Sequence, residues 1–132
     1  MKRAKQTSES IELGILLALS GGLMDAYSYL ARGQVFANAQ TGNMLLFGVN
    51  LASGHFQNTL HYLFPVLAFG LGIFIAEFIH FQNIQRVHWR QVTLLIEILI
   101  LFIVGFISFN QNLLANSLTS FACGLQVQAF RK

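Results

Sequence analysis

A chain of 132 residues that is 55% hydrophobic, only 10% charged and of mean hydropathy +0.58 lies far from soluble domains, where about a quarter of residues are charged. Four apolar stretches approach the ~20 residues that cross a bilayer, so the composition predicts an all-α, polytopic transmembrane helical bundle in contact with the lipid bilayer and excludes a large soluble domain. The net charge of +3 sits at the ends of these stretches without a continuous basic face, which argues against nucleic acid as a partner.

The N-terminal segment 1–10 holds Lys2, Arg3 and Lys5 ahead of an apolar run, an arrangement a signal peptide shares. Asp25 and the later stretches argue instead for an uncleaved first helix with a cytoplasmic N-terminus, in the inner (cytoplasmic) membrane. That first stretch, residues 11–31, is expected to start after Ser8 as N-cap, with Glu9 and Glu12 complementing the helix dipole. Gly14, Ala18, Gly22 and Ala26 recur every four residues and predict a face for close helix packing. Asp25 lies beside them, near Gly21, Ser28 and Tyr29 at helical spacing, and should face protein. Its expected polar partners are Thr41, Asn43 or the last helix.

Residues 33–43 are rich in Gly, Asn, Gln and Thr, which break helices and cap them. A helix starting near Thr41 has about thirteen residues before Gly54, roughly 20 Å, too short to span. Residues 35–53 therefore either cross as one irregular helix or dip in and return. Charge favours the second: with a cytoplasmic N-terminus, re-entry leaves Lys2, Arg3, Lys5, Arg86, Arg90, Arg131 and Lys132 inside and only Arg32 outside. The expected organisation is thus four full spans plus one short or re-entrant helix, in a single domain over residues 1–132.

The next stretch, 60–81, contains Pro65, Gly70 and Gly72, which predict a kink or a close helix contact. It ends on Glu77-x-x-His80, half of a di-iron-type pattern, read here as a Glu–His pair with no metal. Residues 92–109 carry Glu97 on a face with Thr93, Val104 and Ser108. Residues 113–130 are polar for their place, with Ser117, Ser120, Gly124 and Gln128 on one side, and are the natural partner for the acids. The single cysteine, Cys123, permits no internal disulfide and is read as a packing residue. A charge at membrane depth costs at least ~2.5 kcal/mol, so Asp25, Glu77 and Glu97 mark a polar site or an ion pathway before anything else.

Gly22-Leu23-Met24-Asp25-Ala26, then Val35-Phe36, then Thr41-Gly42-Asn43 resemble, in order and spacing, the G-x-x-D-A, V-F and T-G-N signature of the YoaK-like bacterial membrane proteins. Residues 121–132 also resemble that family, in a branch with G/A-L-Q-V-Q-A-F-R-K. The family's function is unknown. The resemblance implies that this segment opens a second half, so the chain is expected to be the first part of a member, truncated relative to the family.

Gly22-Leu23-x-Asp25 also echoes Gly124-Leu125-Gln126 on a helix of opposite expected direction. That suggests one half of an inverted-repeat architecture, in which broken helices present a positive N-terminal end to substrate. The expected function is a secondary transporter or permease for a small polar solute, with protons as the candidate coupling ion. Its substrate or ion pathway would be formed by Asp25, Thr41, Gly42, Asn43, Glu97 and Gln126. The alternative is a structural or accessory membrane protein that assembles with a second copy or with the missing second half. No nucleophile–base pair or phosphate loop is visible, so neither enzymatic activity nor a cofactor is expected.

Overall fold

The computed structural model describes residues 10–82 and 89–131, and every described element is helical. In chain order these are α1 (Ile11–Ala31), α2 (Gln40–Ala52), α3 (Phe56–Phe81), α4 (Trp89–Val104), a 3-10 turn (Phe109–Gln111) and α5 (Asn112–Phe130). Ser8 and Glu9, expected to open α1, lie outside the described residues. The cap is Ser10, whose hydroxyl accepts a hydrogen bond from Leu13 N at 3.1 Å.

By length and composition α1 and α3 can cross a membrane. Four full spans are not seen in this form: the stretch expected over 92–109 is helical only over 89–104. The chain leaves the helix at Gly105, where Phe106 N and Ile107 N turn back to the carbonyls of Ile103 and Val104. Gly105 is a poor helix former, and a distant residue, Arg32, binds the carbonyl of Val104 at the helix end and that of Ile107 just beyond it.

The last helix is the centre of the bundle. Its buried face is built from Ala115, Asn116, Thr119, Ser120, Ala122, Cys123, Leu125, Gln126 and Ala129, mostly small side chains that let neighbours come close. α3 runs parallel to α5 and crosses it at two glycines. A Cβ on Gly72 would strike Phe121 O, and one on Gly124 would strike Phe69 O. The close contact expected in the third stretch is therefore made by Gly72, whereas a Cβ on Gly70 would meet nothing within 4 Å.

On the other flank, antiparallel α4 docks through Gln126 to Glu97 and through Arg90 Nε to Ala129 O at 2.9 Å. Helix α1, also antiparallel, touches α5 lightly, at Met24 against Cys123 and through Asn116 Nδ2 to Arg32 O. Its inward face is Gly21, Met24 and Ser28. Gly14, Ala18, Gly22 and Ala26 are exposed, and a Cβ on Gly14 or Gly22 would touch nothing. Within this chain no helix covers that stripe.

The path of residues 32–56 follows from these contacts. Arg32 sits beside Ser108 and Asn112, where α5 begins. The chain then turns back, so that Gln40, the first residue of α2, reaches Ser120 in the middle of α5. Thirteen helical residues, about 20 Å, return it outward to the start of α3. There His61 packs at Gly33, close to Asn112. Residues 35–53 enter and leave at one end of the bundle.

This path has a direct test. Ala31→Cys and Ser53→Cys are both exposed positions, whereas Cys123 is buried and contributes little background. Both introduced thiols should react with an impermeant maleimide from the same side of sealed vesicles. Labelling of only one would show that residues 35–53 cross.

Candidate functional site

The N-terminal end of α2 lies at mid-depth, among Asp25, Gln40, Asn43 and Ser120. A helix start leaves its first amides without intrahelical acceptors. Here Gln40 N and Gly42 N turn back to Asn38 O and Ala39 O, and Asp25 Oδ1 holds the residues just ahead of the helix, accepting from Asn38 N at 2.7 Å and Ala39 N at 3.3 Å. The partners expected for Asp25 were side chains of Thr41, Asn43 or the last helix, and the structure provides backbone amides instead. The positive end of the α2 dipole is thus already faced by a carboxyl group from α1.

The remaining residues of this start hold the returning loop. Asn43 is fully buried; its Nδ2 donates to Phe36 O at 2.7 Å and Gln40 Oε1 at 2.9 Å, and its Oδ1 accepts from Phe36 N at 2.9 Å. Gln40 Nε2 donates to Ala37 O and Ser120 Oγ. Gly42 leaves room for the Phe36 ring, which a Cβ would approach to 2.7 Å. Phe36 in turn stacks at 4.9 Å on Tyr29 of α1. Thr41 is exposed. The spacing between Val35-Phe36 and Gly42-Asn43 is therefore a self-bracing loop.

Glu97 and Gln126, named separately from sequence, meet across α4 and α5: Gln126 Nε2 donates to Glu97 Oε1 at 2.7 Å. Glu97 is only 4% exposed. Nearer the end of α3, Glu77 accepts from Gln128 and lies 3.7 Å from His80, whose ring stacks on Trp89.

Arg32 escaped the sequence reading of the site. It is 2% exposed. Its Nε donates to Tyr27 Oη, and its terminal nitrogens donate to the carbonyls of Val104, Ile107 and Ser108 and to Asn112 Oδ1. The Phe109 ring stacks on the guanidinium at 4.5 Å. The one sequence signal was its standing as the sole cation at the outer end. Between α1 and α4, above Thr119 of α5, an apolar cleft of about 500 Å³ opens with Arg32 and Tyr27 at one end.

Apolar outward faces around a polar, hydrogen-bonded central helix define an integral membrane protein of the helical class. The chain belongs to the family described as protein of unknown function DUF1275, which it matches over residues 13–132. It is 28% identical over 123 residues to the UPF0700 transmembrane protein YoaK of Bacillus subtilis (strain 168), an alignment covering 89% of this chain and 55% of that relative. The chain thus spans about half the length of the curated relative it matches. No solved structure matches it.

Proposed function

We propose that this chain is a module of a secondary transporter or permease for a small polar solute, coupled to protons, with the pathway passing the start of α2. One observation supports this reading above the others. A helix begins at mid-depth of the bundle, and an acidic side chain is closed over the two amides that lead into it, those of Asn38 and Ala39. Such a start carries about half a positive charge and is where broken-helix transporters meet anionic groups of their substrates. A solute carboxylate would compete with Asp25 for the amides of Asn38 and Ala39. Thr41, exposed on the first turn, adds a hydroxyl. The reading assigns no reaction and no cofactor. It sets the chain in the cytoplasmic membrane with its N-terminus inside, supported by the count of Lys and Arg between the apolar stretches of the sequence.

The test is uptake into proteoliposomes of a panel of labelled amino acids, sugars and small carboxylates under an imposed pH gradient. Gradient-dependent accumulation of at least one solute is expected, and Asp25→Asn, which alters the group a solute carboxylate would displace, should change the solute concentration that half-saturates uptake. Accumulation of none would favour a structural or accessory role. That second reading has its own support: Gly42 and Asn43 serve the fold itself, and the bare Gly14, Ala18, Gly22 and Ala26 face is available to a second copy or a second half.

A further inference from the structure

The acids of this bundle differ in what their oxygens meet. Asp25 accepts from two backbone amides, and Glu77 accepts from Gln128 with His80 alongside. Glu97 is more enclosed than either. Its Oε1 accepts from Gln126, but its Oε2 is shut off from solvent and has no hydrogen-bond partner among the described residues. A buried carboxyl oxygen with no donor facing it is a costly place for charge and a ready place for a proton.

Few titratable or charged groups surround Glu97. On α5 there is Cys123, one turn before Gln126. On α4 itself, Arg90 lies two turns earlier with its Nε donating to Ala129 O. Glu77 and His80 of α3 are engaged at Gln128, and Asp25 of α1 lies on the other side of Cys123 at the start of α2. The apolar cleft between α1 and α4 reaches Leu101, one helical turn from Glu97.

We propose that Glu97 is a proton-binding site, holding a proton on Oε2 while Oε1 stays bonded to Gln126, and that this carboxyl, not Asp25, is the proton carrier. The second clause rests on the transport reading above; the first does not. Gln126 is a positioning residue, fixing one oxygen so that the other alone gains and loses the proton. The cleft brings a small apolar reagent from the lipid side to Leu101, one helical turn short of Glu97.

Dicyclohexylcarbodiimide tests this in the intact chain. It adds to a carboxylic acid and not to a carboxylate. The acid proton moves to one carbodiimide nitrogen, the carboxyl oxygen bonds to the central carbon, and the acyl group then migrates to nitrogen. The product is an N-acylurea, and no group leaves. The chain in lipid vesicles is treated over a series of pH values and the adduct located by peptide mass spectrometry.

An adduct on Glu97 is expected at acid pH, falling about tenfold per pH unit above its midpoint. Gln126→Leu, which removes the donor facing the charged carboxylate, should extend labelling to more alkaline pH. Glu97→Gln should keep the pairing with Gln126 and lose the adduct. Absence of an adduct on Glu97 at every pH, or heavier labelling of Asp25 than of Glu97 at acid pH, would overturn the assignment. Labelling without solute uptake would leave the proton site standing and remove the transport reading. Uptake without labelling would do the reverse.

Discussion

Gly124→Ala should unfold much of the protein, although it adds a single methyl group. In an exposed helix the same change stabilises by up to about 1 kcal/mol through helix propensity. Here the new Cβ would be driven into the backbone carbonyl of Phe69, within 3.2 Å of Ile73 N, and no rotamer can relieve it. Only separation of α3 from α5 can, and that opens the contact that carries the bundle. The cost belongs at the top of the overpacking range, about 3 kcal/mol or more. Gly72→Ala should behave alike, because its Cβ meets Phe121 O. Gly70→Ala and Gly48→Ala, where nothing lies within 4 Å, should be neutral. Fluorescence-detected size exclusion after a heating series separates the two pairs. Equal losses from Gly70→Ala and Gly72→Ala would show that the crossing is not the determinant.

Arg32→Ala should be comparably damaging, for an electrostatic reason. The guanidinium joins the end of α1 to the last carbonyl of α4, that of Val104, and to those of Ile107 and Ser108 in the turn that follows. A helix end leaves four such carbonyls without intrahelical donors, and a cation there also opposes the negative end of the dipole. Ile107 O has no other donor among the described residues and its loss costs about 1–3 kcal/mol, whereas Val104 O keeps Ile107 N and Ser108 O keeps Gln111 N and each loses only a second donor. The combined loss should reach about 3 kcal/mol, short of a simple sum because the three share one donor group. Arg32→Lys should not restore it, since one ammonium cannot reach Tyr27, Asn112 and three carbonyls together. The same heating series, with hydrogen exchange at residues 104–108, reports it. A stable Arg32→Lys protein with protected amides would refute the forked geometry as the cause.

Arg32 also shows where reading from sequence stopped. Its lone position at the outer end counted against the positive-inside tendency, yet the side chain is buried and acts as a helix cap, so it is not a loop charge at all. The end of α4 was only partly legible: residues 98–104 are an unbroken apolar run that stops at Gly105, and the side chain that binds the carbonyls there comes from far away in the chain. The short helix after residue 39 was legible, because a polar cluster followed by too few apolar residues bounds its length. Its partner was not, since the amides that meet Asp25 depend on how the loop folds back. The four-residue stripe on α1 was visible but its direction was not. Gly21, Met24 and Ser28, one position away, form the inward face, because spacing sets a face and only the neighbours decide which way it turns.

The central place of α5 has a consequence for how the chain is made. Ribosomal synthesis delivers residues 112–130 after the other four helices have already entered the membrane. Until then Glu97 has no Gln126, Gln40 no Ser120, Glu77 no Gln128, the carbonyl of Arg32 no Asn116, and Gly72 no backbone to lie against. The nascent chain must therefore hold four incompletely matched helices until α5 has been made.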